Sequence, residues 1–393
     1  MESVFISKEE CCGCTACFNL CPKNVISLQS DSCGYDYPAI DASLCINCGL
    51  CQNVCQFRKK EIQDSYKSIK CYALKHKDFS VICASRSAGA FTAFSDYVLD
   101  NGGLVYGAKL DADLMVRHHK ASKKEERDSF RESKYVQSKL EGVFKNVAED
   151  LKDGKTVMFT GTGCQCDGLR AFLNTKRIDS EKLVIADIVC HGVPSPKMFK
   201  EYLQWNERKY HSVVKKFKFR DKQKYSWSEG VEKLTLANGK VKYQDYFTGS
   251  IFENFIRPSC YNCKYTTPYR NSDITLADFW GSEKAAPEFT DYKNGCSLVL
   301  IHSEKGLTLF ERIKDSISYK EVPLEACLQH RLVSPRKKDP FIDSYWQNYI
   351  EKGFDYIIKN YVENSVSLNK RLKKRFRNII YRIYKKLRKL FYI

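Results

Sequence analysis

A duplicated cysteine unit near the N-terminus constrains this chain more than any other feature. Cys11, Cys14, Cys17 and Cys21 follow the spacing C-x2-C-x2-C-x3-C, with Pro22 next. Cys45, Cys48, Cys51 and Cys55 repeat it 34 residues later, with Gln56 where the first unit has proline. An iron–sulfur cubane needs four thiolates at roughly tetrahedral corners. Three close cysteines on one tight loop wrap one side, and the fourth starts a helix leading to the other cluster. The spacing therefore assigns Cys11, Cys14, Cys17 and Cys55 to one 4Fe-4S cluster, and Cys45, Cys48, Cys51 and Cys21 to a second. Gly13 and Gly49 suit close backbone approach to the sulfides, and Val25, Ile26 and Leu28 supply a short strand between the loops. Cys12 and Cys33 fall off the pattern and read as unligated thiols. Zinc sites are the alternative, but they use two C-x2-C pairs separated by a longer loop. A disulfide scaffold is a poor fit, because such scaffolds are short and secreted, whereas here ten of nineteen cysteines crowd between Cys11 and Cys55.

The 393 residues suffice for two or three domains. No run of about 18 apolar residues exists, and Met1 to Glu10 has no apolar signal core. The expected location is the cytoplasm. Phe57 to Lys70 is polar and reads as a linker. Beyond it strands and helices alternate, which is an α/β pattern. Ser87 is expected to cap a helix carrying Ala90, Phe91, Phe94 and Val98, ended by Gly102 and Gly103. Leu104 to Tyr106 reads as a strand. Thr156 to Thr160 is a buried-strand run leading through a glycine loop, Gly161 to Gly168, into a helix with Leu169, Phe172 and Leu173. Such a loop can hold a phosphate-bearing cofactor at the helix N-terminus, although the Gly-Lys-Ser/Thr ending of a P-loop is missing, and a plain tight turn is the alternative.

A third strand, Leu183 to Val189, ends at Cys190-His191-Gly192. Cys164 and Cys190 thus lie just past predicted strand ends, where open α/β sheets bind ligands. With the pair Cys260 and Cys263 they form a candidate third 4Fe-4S site. Buried inert thiols and a free dithiol are the alternatives. His191 is a candidate proton donor to a substrate or a structural hydrogen-bonder. Asp273 and Asp278 alternate on a strand-like run and are placed either to contact a cofactor ribose or to cap a turn.

The body resembles the beta-subunit family of coenzyme F420-reducing hydrogenases and F420-dependent dehydrogenases over roughly residues 70 to 340. The likeness rests on Arg86-Ser-Ala-Gly-Ala90, Ser133 to Ser138, Phe159 to Gln165 and Asp187 to Pro194. It also rests on Phe219-Arg220 with Lys222 and Trp227, on Cys260 with Cys263, and on Asp278-Phe-Trp-Gly281. The resemblance implies FAD and a cluster in the body, with electrons moving between a ferredoxin-type carrier and coenzyme F420 or another hydride acceptor. The implied cofactor contacts are Arg86, Ser87, Gly89, Gly161, Thr162, Gly163, Gln165, Arg220, Lys222 and Asp278. Gly163 stands where the family often has proline, and Ala88 where a glycine pair is common. The family also includes bacterial members associated with surface-polysaccharide biosynthesis, so the small-molecule substrate stays open.

Of the net charge of +18, eleven positive charges fall between Lys370 and Lys389, with no acid among them. Leu368, Leu372, Phe376, Ile379, Ile383, Leu387 and Leu390 form one helical stripe. A basic amphipathic helix over 368–393 suits an anionic membrane surface on the inner face of the cell membrane. Non-specific nucleic-acid binding is the rival, and no specific nucleic acid is expected.

The expected architecture is an α/β chain with a dicluster ferredoxin domain (1–57), a linker (58–70), a flavin-binding body (71–345) and a helical basic tail (346–393). The expected function is an iron–sulfur flavoprotein oxidoreductase. An electron-transfer adaptor without its own substrate and a zinc-held membrane scaffold are the alternatives.

Overall fold

The structure is a computed structural model and describes residues 4–58 and 69–363. Most of the expected linker and the striped tail lie outside the described residues. The chain divides into two compact units, Met1–Asp339 and Pro340–Ile393. In the second, the helix Ile342–Ile357 is interrupted at Gly353, whose φ of +77° departs from helical geometry. Among the described residues no helix is long and apolar enough to cross a membrane.

In the first unit, β1 (Ile26–Ser30) and β2 (Asp36–Ile40) form an antiparallel hairpin between the two cysteine loops. This matches the strand expected from Val25, Ile26 and Leu28. Each loop turns through a left-handed residue, Thr15 (φ +64°) or Gly49 (φ +72°), into a short helix, Ala16–Leu20 or Leu50–Asn53. Ala16, Leu20 and Val54 are buried in one core with Phe144, Leu169 and Phe172 of the body. Burial of that kind contributes about 2 kcal/mol for a Leu or Val, so the cysteine-rich region is packed onto the body.

The body is built on β3 (Lys70–His76), β4 (Leu104–Leu110), β5 (Val116–Ala121), β6 (Val157–Thr162) and β7 (Leu183–Ile188). A small antiparallel sheet follows, made of β8 (Val214–Lys218), β9 (Glu232–Leu236) and β10 (Val241–Gln244). Then come β11 (Ile274–Asp278), β12 (Ser297–Ile301) and β13 (Ile317–Val322). The main sheet has the order β13-β3-β12-β11-β7-β6-β4-β5. Its centre, β4-β6-β7-β11, is parallel, and its flanks are antiparallel. Parallel strands need cover on both faces, hence the unbroken apolar run Leu183–Ala186; the antiparallel β12 is also wholly buried. One face is covered by the helices Ala90–Asp100 and Glu304–Ile313. The other is covered by Val143–Lys152 and Gly163–Lys176. This is the expected α/β fold.

Two local expectations are corrected. Gly89, not Ser87, caps the helix Ala90–Asp100: it takes the left-handed conformation (φ +93°), and Ser87 Oγ pairs instead with Ser297 Oγ at 3.0 Å. There is also no glycine loop after the predicted strand. β6 runs to Thr162 and the helix starts at Gly163, because Thr162 and Gln165 close a capping box that turns strand directly into helix.

Candidate functional site

The C-terminal ends of β6, β7 and β11 open onto a cavity of about 290 Å³. Strand order and direction put it there, since parallel strands present their carboxyl ends to one edge of the sheet. Five thiols line it: Cys12, Cys164, Cys190, Cys260 and Cys263. Four of them are the expected third-cluster ligands, drawn from the Gly163–Lys176 helix, the segment after β7 and the turn Pro258–Asn262. All are free thiols. Burial pushes the Cys263 thiol up to about 11 and raises Cys190 and Cys260. Buried thiols that resist ionisation as free groups are relieved by metal ligation, so the donor set fits a cluster. Among the described residues no three His, Cys, Asp or Glu side chains could hold one metal ion. A four-iron cluster spreads its thiolates over four irons and does not require that convergence.

Cys55 neighbours Cys11 and Cys17, and Cys51 neighbours Cys45, Cys48 and Cys17. Cys12, read from sequence as off-pattern, is buried between the two regions. The thiols of Cys14 and Cys164 both donate to it, and these bonds hold Cys12 well below its ordinary pKa. Gln56 Nε2 donates to the Cys164 carbonyl at 2.7 Å and to Cys12 Sγ at 3.4 Å. Arg257 is fully buried. Its Nε donates to the Cys11 carbonyl at 2.7 Å, Nη1 to Gln137 at 2.9 Å and Nη2 to the Asp36 carbonyl at 3.0 Å. Sequence reasoning missed Cys12, Gln56 and Arg257 as site residues. The one available signal was Gln56, which breaks the proline of the repeat.

The resemblance-implied cofactor residues divide into three groups. Arg86, Ser87, Gly89, Gly161, Thr162, Gly163, Gln165 and Asp278 all line the cavity. Arg86 has a side chain only 10% exposed, lies 3.5 Å from Asp278, and has no hydrogen-bond partner for Nε, Nη1 or Nη2. Arg220 stacks over Tyr135 at 4.8 Å, with a buried Nε that also lacks a partner. Lys222 turns away: its Nζ donates to the carbonyls of Ile82, Ser87 and Asn294 at 2.7, 2.6 and 3.1 Å. It anchors the backbone that carries Arg86. Asp273 does not reach the cavity. It accepts from Ile185 N at 2.8 Å and Ser303 Oγ at 2.6 Å, at the opposite end of β11 from Asp278. His191 lines the cavity, and its pKa is pushed down to about 4 by burial, then by Arg331, Arg336 and Arg220.

Comparison with known proteins separates the cysteine-rich region from the body. Residues 10–59 match the 4Fe-4S dicluster domain. Residues 154–326 match the family described as the C-terminal part of the coenzyme F420 hydrogenase/dehydrogenase beta chain. An uncharacterized ferredoxin of Methanocaldococcus jannaschii is 35% identical over 52 residues, 13% of this chain and 66% of that protein. The chain thus spans just under two thirds of that relative. A chain of the F420-reducing nickel–iron hydrogenase complex from Methanosarcina barkeri superposes with a TM-score of 0.47 at 18% identity, covering 75% of this chain and 91% of that one.

Proposed function

We propose that this chain, an iron–sulfur oxidoreductase related to the coenzyme F420 hydrogenase/dehydrogenase beta subunit and carrying a 4Fe-4S dicluster domain, moves electrons from a ferredoxin-type carrier, through its clusters and an FAD, to a small-molecule hydride acceptor. The observation that carries this reading is Arg86: a guanidinium paired with Asp278 at 3.5 Å but with no hydrogen bond to any of its three nitrogens, in a cavity it shares with Cys164, Cys190, Cys260 and Cys263. A buried cation with unmet hydrogen bonds is costly, and the diphosphate of a dinucleotide would satisfy it.

When bound, the flavin supplies the exchange between single electrons and a hydride pair, and a third cluster supplies a one-electron relay. The rest of the work falls to the chain. Arg86 and Arg220 bind and orient the diphosphate, and Lys222 holds the Arg86 backbone in place. Cys164, Cys190, Cys260 and Cys263 hold the third cluster, next to the loop of Cys11, Cys14 and Cys17. His191, kept neutral by burial and the neighbouring arginines, stands at the substrate end as a hydrogen-bonding imidazole. The second loop, with Cys48 exposed, faces the external carrier.

The test is anaerobic purification followed by measurement of iron, labile sulfide and flavin. About twelve irons with one FAD per chain is the expected result, falling to about eight in Cys164→Ser. About eight in the unaltered protein would remove the third cluster, and absence of flavin would favour the electron-transfer adaptor. Turnover of coenzyme F420 against other acceptors identifies the substrate. The striped tail, 368–393, fits an anionic membrane surface, and a chain ending at Glu363 is expected to lose liposome binding.

A further inference from the structure

Positive charge ahead of the tail is concentrated in one place. Residues 208–242 carry eleven Lys or Arg against three acids, a net +8, whereas the whole chain ahead of residue 370 carries only +7. Two of those three acids, Asp221 and Glu232, are buried. The stretch comprises the end of the helix Pro196–Tyr210 and the small sheet β8-β9-β10. One face of that sheet is closed. Val214, Phe217, Leu234 and Leu236 are buried, and the Phe217 ring meets Phe199 of the helix with centroids 5.1 Å apart. The sheet is therefore a fixed platform.

The other face is rich in lysine. A bulge in β8 between Val214 and Lys216 breaks the alternation that would turn one of Lys215 and Lys216 inward, and both are exposed. Register sets Lys216 beside Thr235 and Val241, and Lys218 beside Lys233 and Tyr243. Lys218 and Lys233 are paired, with Glu132 and Asp221, each at 3.7 Å. Among the described residues no carboxylate pairs with Lys215, Lys216, Lys224 or Lys240. At one end, the tight turn 237–240 is closed by the Leu236 N–H donating to the Lys240 carbonyl at 2.9 Å, and the Val213 carbonyl accepts from Ala237 N at 2.8 Å. Two valines flank this turn in water, Val213 at 53% exposure and Val241 at 41%.

The residue types choose among anionic partners. Protein interfaces enrich arginine and deplete lysine, and nine of the eleven cations here are lysine. Single-stranded nucleic acid needs open aromatic faces for its bases. Here lysines cover the rings: Lys224 lies over Tyr243 at 3.6 Å, Lys209 over Trp205 at 4.2 Å and Lys242 over Tyr210 at 4.8 Å. Exposed valines gain nothing from a phosphate backbone, but they do gain at the boundary between lipid headgroups and acyl chains. Trp, Tyr and Lys are also side chains that settle at headgroup depth, with an apolar stem below and a polar tip in water.

We propose that the lysine-rich face and the 237–240 turn of the β8-β9-β10 sheet form a contact surface for an anionic lipid bilayer. Lys215, Lys216, Lys224 and Lys240 lie among the headgroups, and Val213 and Val241 reach the acyl boundary. This surface is independent of the flavin reading. It extends the reading of the tail: one peripheral signal binds a membrane only marginally, and two together hold. The sheet supplies the second signal, on the folded body.

The experiment is co-sedimentation of the full chain with vesicles of phosphatidylcholine and phosphatidylserine in equal parts, and with vesicles of phosphatidylcholine alone. Binding to the mixed vesicles is expected, weakening as salt is added. Lys215→Gln, Lys216→Gln and Lys240→Gln should each weaken it about fivefold, with iron content unchanged. Val213→Ser combined with Val241→Ser should weaken it about threefold even at high salt. Lys176→Gln, at an exposed site on the helix Gly163–Lys176, should change nothing. Failure of the full chain to bind the mixed vesicles overturns the proposal, as does unchanged binding in the triple lysine variant. A triple variant that loses a single-stranded oligonucleotide but keeps the vesicles assigns the surface to nucleic acid and also overturns it. The tail is separated by the chain ending at Glu363. If that chain still binds, the tail reading fails by itself, and the lysine variants made within it decide the sheet: loss of binding supports the surface, and no loss overturns it.

Discussion

The two cysteine loops are near copies in sequence but occupy different environments. The first is pressed into the body. Its Cys14 sits against Gly168, where a Cβ would come within 2.8 Å of the Cys14 Cβ, and Arg257 grips its Cys11. Burial raises the Cys17 thiol and pushes Cys11 up to about 11. The second loop faces outward, with Cys48 exposed and Leu44 and Ile46 exposed at 62% and 57%. A repeat in sequence specifies two equivalent ligand sets. Docking onto the body buries one and leaves the other accessible, and potential and access follow burial and hydrogen bonding rather than ligand spacing.

The sharpest way to test that difference is to remove equivalent ligands. Cys14→Ser and Cys48→Ser should each cost about four irons. Only Cys14→Ser should also lower the thermal stability of the body. Equal effects on stability would mean that the loops are not differently docked. Next in size is Arg257→Gln, which removes a buried cation with contacts to both regions. Unfolding is expected to become easier by about 3 kcal/mol. One of the two N-terminal potentials should fall by about 60 mV, equivalent to about 1.4 kcal/mol, and the other should hold; redox titration followed by EPR reads both.

Gln56→Pro makes the repeat symmetric again. Two hydrogen bonds are lost, one to the body at Cys164 and one to Cys12 of the first loop, for an expected cost of about 1–2 kcal/mol with both N-terminal clusters retained. Chemical denaturation with iron analysis reads this. Smallest is Ile46→Lys on the outer loop. Stability should move by no more than about 0.5 kcal/mol, while the rate of reduction by an external ferredoxin changes several-fold in stopped-flow. An unchanged rate would move the docking face elsewhere.

Different parts of this molecule were legible in sequence to different degrees. The dicluster region was readable because three cysteines of each unit lie within a few residues of each other, so local spacing alone marks it. The strands β6 and β7 were readable because Val157–Phe159 and Leu183–Ala186 are buried and write unbroken apolar runs. The glycine-rich stretch after β6 misled, since Gly161 lies inside the strand and Gly163 inside the helix, where composition resembles a loop but the Thr162–Gln165 capping box does not. Lys222 was read as a cofactor contact, but three backbone carbonyls take its ammonium group.

By itself, then, the sequence determined the 4Fe-4S dicluster region, the α/β character of the body, and which cysteines lie at strand ends. Only the tertiary structure decided that Cys12 and Gln56 join the first loop to Cys164, that Arg257 reaches back to Cys11, and that Arg331 and Arg336 return to His191. The physical reason is separation along the chain. Arg257 and Cys11 are 246 residues apart, and no local periodicity carries information over that distance. Such contacts exist only once the sheet order and the packing of helices on it have brought the segments together.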